Sequence, residues 1–129
     1  MKPGDYMRLR REAAGLTIDS IALLCGGGDP KARAEAQNQM RRIENGEGDL
    51  TDHHGLLLKL RGVMAFDLEV YEKLVLYAAD QELPLPQVCR GCGCSWMDPC
   101  ADRRTGTCAW ADGDPTLCTT CERREAAHA

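Results

Sequence analysis

Seven of the chain's eight cysteines fall in its last 41 residues, as Cys89-x2-Cys92-x-Cys94-x5-Cys100-x7-Cys108-x9-Cys118-x2-Cys121. Thiolates are soft ligands that suit zinc and iron–sulfur clusters alike. Two of them on one tight turn can grip one ion, and two such turns complete a tetrahedron. The pairs Cys89/Cys92 and Cys118/Cys121 bracket the run and are the expected ligands of a structural zinc, with 25 residues between Cys92 and Cys118. Four thiolates leave no open position, so such a site does no hydrolytic chemistry. Its role is folding, because ligation can supply about 10 kcal/mol or more to a segment with few apolar residues.

Cys94, Cys100 and Cys108 leave several arrangements open. Two tetrahedral sites need eight ligands, and seven cysteines suffice if a thiolate bridges both ions, as two do in the fungal binuclear zinc clusters. A site of three cysteines with Asp98, Asp102, Asp112 or His128 is a second option. An iron–sulfur cluster and plain packed thiols are the others. One zinc is therefore expected, with a second admitted. Gly93 is expected to free the first turn so that backbone N–H groups reach sulfur. Trp96 and Trp110 are expected to cover the site, with ligand or base stacking as the sharper alternative. Cys25 reads as buried packing, and His53-His54 as solvated or capping. Asp112 and Asp114 read as a turn with Gly113 and Pro115.

At 129 residues the chain has room for one ordinary domain or two small ones. It contains no run of roughly 18 apolar residues, so no membrane span is expected. The start shows no secretory pattern, which points to the cytoplasm, where thiols stay reduced and bind metal. The net charge of −4 does not advertise a nucleic-acid binder. Its distribution matters more: residues 1–50 are balanced at eight basic and eight acidic groups, whereas residues 51–88 carry three against six.

Helices must position these groups. The spacing predicts a first helix over about Asp5–Ala14, stopped by Gly15. A second is capped by Thr17 and ended by Gly26-Gly27-Gly28. Asp29-Pro30 starts a third that runs to Glu44. Asp49 or Thr51 caps a fourth with Leu56, Leu57 and Leu60. A fifth carries Leu68, Tyr71, Leu74, Val75 and Ala78 along one stripe. Leu83-Pro84-Leu85-Pro86 cannot continue a helix and marks a boundary. The tail from Glu122 reads as a frayed helix or disorder. The third helix is unusual, with a thin apolar stripe among Lys31, Arg33, Gln37, Asn38, Gln39, Arg41 and Arg42. A helix of that kind faces water or a polar partner. Arginine, asparagine and glutamine match base edges in the major groove.

The order of these signals resembles a known family. Leu9-Arg10-Arg11-Glu12-Ala13-Ala14-Gly15-Leu16-Thr17-Ile18 and the residues to Leu24 resemble the first two helices of Cro/repressor-type (Xre-like) helix-turn-helix regulators. Met40-Arg41-Arg42-Ile43-Glu44-Asn45-Gly46 is similar to the end of their recognition helix, and the resemblance covers roughly residues 4–65. It implies base reading by Gln37, Asn38 and Arg42, with Gln39 and Arg41 near phosphates. About nine extra residues around Gly26–Ala34 either loop out or lengthen the recognition helix, in which case Lys31 and Arg33 approach the DNA backbone. The resemblance implies that Leu16, Ile21, Ala22, Leu24, Met40, Ile43 and Leu57 are core. It also implies a homodimer, for which the stripe of the fifth helix is a candidate interface. The Cys-rich segment resembles tails of small bacterial and phage proteins, which implies no activity.

The expectation is a mainly α protein: a five-helix repressor-like helix-turn-helix domain over residues 1–83, then a small Cys-rich zinc-binding module over residues 84–129. The expected function is sequence-specific transcriptional regulation on double-stranded DNA in a bacterium or phage. The Cys-rich module would serve dimerisation, a protein partner, or phosphate contacts through Arg90, Arg103, Arg104, Arg123 and Arg124. Two rivals are a protein-binding adaptor (antitoxin-like or host-factor-capturing) and a metal- or redox-sensing regulator. An enzyme is not expected, since no nucleophile–base pair or phosphate loop is visible.

Overall fold

The computed structural model of the chain describes residues 1–102 and 106–128, apart from the side chain of Asp102. Among them lie α1 (Pro3–Ala13), α2 (Ile18–Gly26), α3 (Pro30–Glu44), α4 (Leu50–Leu60) and α5 (Leu68–Ala79). After the proline connector come a two-residue hairpin, β1 (Ala101–Asp102) with β2 (Gly106–Thr107), and α6 (Thr119–Ala127). The described chain is mainly α, and no helix in it is long and apolar enough to cross a membrane. Arg103 and Arg104, expected near phosphates, lie outside the described residues, as does the Asp102 carboxylate.

Short polar residues start α2, α3, α4 and α5 by accepting their unpaired N–H groups. Thr17 Oγ1 accepts from Ser20 N (3.0 Å). Asp29 accepts from Lys31 N (3.1 Å). Asp49 and Asp52 accept from each other's backbone N–H in a capping box. The apolar stripes meet in one core: Tyr6 and Met7 of α1, Ile21 of α2, Met40 and Ile43 of α3, Leu57 and Leu60 of α4, and Leu74 of α5 are almost wholly buried.

Where two helices cross closely, the sequence supplies glycine. A Cβ at Gly26 would lie 2.6 Å from the backbone nitrogen of Arg33, and one at Gly4 would collide with the Glu44 carbonyl. Arg11, its side chain mostly buried near the end of α1, reaches Glu44 at the end of α3 through two bonds of 2.7 and 2.9 Å, and also donates to Leu16 O. The fork geometry matches a carboxylate, so this pair fixes α1 to α3 and to the following turn.

Several expectations need correction. Leu24 is not core but 57% exposed, because the buried face of α2 is set by Ile21, Ala22 and Cys25, and Leu24 turns away from it. Tyr71 and Leu74 are buried in their own chain, and Leu68 and Val75 pack against the same core, so that stripe of α5 is not offered to a second copy. His53 is not solvated: it is 1% exposed, with Nε2 2.6 Å from Glu47 O. The extra residues do not loop out; they lengthen α3 toward its N-terminus, leaving only residues 27–29 as the turn. The tail helix begins earlier than expected, inside the second cysteine pair.

A second core, separate from the first, is built from sulfur. It joins Cys89, Cys92, Cys94, Cys118 and Cys121 to Ala111 and Leu117. One side chain links the two cores. Arg10 is only 6% exposed, donates Nε–H to Ala65 O (2.8 Å) and Nη1–H to Cys92 O (3.2 Å), and pairs with Asp98 at 3.2 Å. Gly93 has φ +77°, and a Cβ there would sit 2.9 Å from Arg10 Cδ. The glycine is required for this close approach as well as for the turn.

Candidate metal centre

The sulfurs are brought together by short backbone ties, not by apolar packing. Cys89 N donates to Cys94 O (2.9 Å) and Gly93 N to Cys89 O (2.9 Å), which closes the first turn on itself. Ser95 and Asp98 exchange backbone bonds and leave Trp96 and Met97 at an exposed tip. Cys108 N donates to Cys100 O (3.0 Å), extending the β1–β2 hairpin so that both thiols face one way. Arg90 N donates to Thr116 O, and Thr119 N to Ala109 O, laying the last cysteine pair against the first.

The result is two four-thiol groups, each with its sulfurs within 4.8 Å of one another: Cys89, Cys92, Cys94 and Cys118, and Cys94, Cys100, Cys108 and Cys118. Either could hold a metal ion. All cysteines are free thiols. The Sγ separations of 3.9 Å (Cys92–Cys118) and 3.7 Å (Cys94–Cys108) are close to the edge of about 3.8 Å that a zinc tetrahedron with bonds of about 2.3 Å requires. Soft donors, buried in the first group and partly buried in the second, converge here with no disulfide to compete, which favours a metal.

Cys89, Cys92 and Cys118 of the expected set converge in the first group, but its fourth member is Cys94. Cys121 belongs to neither group; its buried thiol sits beside Cys89 and Cys118, in space left by Gly91, where a Cβ would be 2.8 Å from its Sγ. Cys100 and Cys108, left open by spacing, converge in the second group. The candidate oxygen ligand Asp98 is instead the partner of Arg10, and Asp112 and His128 are exposed.

Sulfur charge is compensated by N–H groups. Cys89 Sγ accepts from Gly91 N (3.4 Å) and Cys118 N (3.3 Å), Cys118 Sγ from Cys121 N (3.4 Å), and Cys108 Sγ from Cys100 N (3.2 Å). Gly93, expected to free the turn for such donors, has a positive φ and gives its own N–H to Cys89 O. Hydrogen bonds from the Cys92 and Cys94 thiols, aided by these amides, favour the Cys89 thiolate, so its pKa falls. The same interactions raise the pKa of Cys92 and Cys94. Cys121 is pushed up to about 12, chiefly by burial. A bound ion inverts this logic for the thiols that it coordinates.

Trp110 packs on the sulfur core, but Trp96 is 83% exposed and does not cover it. Together with Pro99 they line a cavity of about 300 Å³ that reaches Cys94, Cys108 and Cys118. Cys25 is half-buried at the edge of the helical core, and burial raises its thiol pKa. Asp114 accepts from Thr116 and pairs with Arg90, forming the expected turn.

On α3 the expected contacts divide. Lys31, Asn38, Arg41 and Arg42 are exposed. Gln37 is bonded to Asp19, and Gln39 donates to Asp52 O (2.8 Å). Arg33 is half-buried, its Nε enclosed without a hydrogen-bond partner. The residue that spacing alone passed over is Arg10; its signal was an arginine on the same α1 stripe as Tyr6 and Met7. Compared with known proteins, the chain matches no family model, and no curated protein or solved structure matches it.

Proposed function

We propose that this chain is a sequence-specific DNA-binding regulator whose Cys-rich region is held together by zinc. The observation that carries the reading is the open ridge of α3. Lys31, Ala34, Asn38, Arg41 and Arg42 recur at helical spacing and are all exposed. Asparagine pairs with adenine and arginine with guanine on their major-groove edges, while a lysine at the helix start suits a phosphate. In this reading Asn38 and Arg42 read bases, Lys31 and Arg41 hold the backbone, and Gln37 and Gln39 brace α3 against its neighbours. The all-thiolate donor set supports zinc, a metal that such sites hold in tetrahedral geometry.

Selection from a random DNA pool with the full chain tests it. An enriched sequence is expected, and Arg42→Ala is expected to cost about 1–3 kcal/mol at that sequence and to relax one position. A pool that stays random for the intact protein overturns the reading. A second reading, a protein-binding adaptor, draws on Leu23 and Leu24, adjacent on α2 and more than half exposed. It is favoured if a stoichiometric protein partner is lost on Leu23→Ser/Leu24→Ser while no DNA is selected.

A further inference from the structure

The two four-thiol groups are not separate. Cys94 and Cys118 belong to both. Six thiols therefore offer eight ligand positions, the number that two tetrahedral ions require. We propose that the Cys-rich region holds a binuclear centre in which the Cys94 and Cys118 thiolates bridge two zinc ions, Cys89 and Cys92 completing one tetrahedron and Cys100 and Cys108 the other. The inference rests on the zinc part of the reading above and not on its DNA part.

Two observations support the bridge. Cys94 and Cys118, the thiols common to both groups, are each 1% exposed, whereas Cys100 and Cys108 at the outer side of the second group are half-buried. Cys92 and Cys100, one from each group, have sulfurs 3.2 Å apart, and as terminal ligands of tetrahedra with bonds of about 2.3 Å that share an edge they must move to roughly 5 Å when both ions bind. Charge argues the same way: a single divalent ion offsets only two of six crowded thiolates, and two ions offset four. Burying the uncompensated remainder is costly, and Arg10, which reaches this region at Cys92 O, is already committed to Asp98 and two carbonyls. Cys121 is left as a buried thiol beside the centre, outside both tetrahedra.

The two ions should also differ in lability. All four thiols of the first group are buried. The second has two half-buried members, and the 300 Å³ cavity opens on Cys94, Cys108 and Cys118. The Cys100/Cys108 ion is therefore the one that a chelator removes first.

Metal content and cadmium NMR of the full chain test this directly. Zinc-grown protein is expected to carry two ions per chain. After exchange to NMR-active cadmium, two resonances are expected, each split by scalar coupling to the other through the shared sulfurs. Cys108→Ser should leave a single unsplit resonance, and Cys121→Ser should keep both. Limiting chelator should remove one ion before the other. One ion per chain, two unsplit resonances, or an iron-containing chromophore overturns the proposal. Loss of an ion in Cys121→Ser overturns its ligand assignment. Protein that takes up no metal overturns the zinc reading with it, whereas one ion per chain defeats the bridge alone. The wild-type spectrum decides even if a variant fails to fold.

Discussion

The helical region and the Cys-rich region solve the same problem with different materials. In the first, a dozen or so apolar side chains at helical spacing leave water together, and short caps close the ends. In the second, the core is sulfur with, among the described residues, Ala111 and Leu117 as its buried apolar company, and the regular structure described there is one short hairpin and α6. Apolar burial has no direction and tolerates small shifts, whereas ligation demands a count and a geometry. The stability of one region is spread over many residues. That of the other is concentrated in six or seven thiols and, in the proposed reading, depends on an ion.

The largest way to break this contrast is to remove the metal. Chelation of the full chain should withdraw stabilisation of about 10 kcal/mol or more from the Cys-rich region. Amide exchange should become unprotected from Cys89 to Cys121 while the helical circular dichroism of α1–α5 persists. Loss of both signals together would show one cooperative unit in place of two. The pH dependence has a fixed sign: ligands must be deprotonated to bind, so ion release sets in as pH falls and is reversed as it rises. The helical region has no such requirement and should retain its signal through the pH at which the ion is lost.

Within the helical region the most concentrated interaction is Arg11 with Glu44. Both side chains are nearly buried, 14% and 8% exposed. Glu44→Ala strands the guanidinium and should destabilise the helices by roughly 3–5 kcal/mol, read as a lowered denaturation midpoint with metal content unchanged. A simultaneous loss of metal would erase the distinction between the regions.

Arg10→Met gives the smallest effect and the sharpest comparison, because this side chain belongs to both regions. Losing its bonds to Ala65 O and Cys92 O and its pairing with Asp98 should cost about 2 kcal/mol. Two resolved thermal transitions should appear where Arg10 had coupled them. An unchanged thermogram would mean that the junction transmits nothing.

What was legible in the residues depended on the range of the signal. Caps and stops are local, and Thr17, Asp29-Pro30, Asp49 and Gly15 acted within one turn of where they stand. Leu24 was misjudged because a nine-residue helix full of apolar residues does not declare which side faces in. The stripe on α5 was correctly apolar, but apolarity alone does not distinguish an intramolecular core from an interface.

The cysteine count, their clustering and the scarcity of apolar residues around them pointed to a ligated core, and the structure brings these thiols into groups that could hold a metal ion. Which thiols share an ion was not a matter of spacing. Cys-x-x-Cys spacing brings two sulfurs together within a turn, but Cys94 joined the first pair, and Cys121 was set aside, only because long-range backbone bonds laid the strands of the region against one another. The same holds for Arg10: a charge on an apolar stripe looks like an error until a second region, folded by different physics, arrives to pair it.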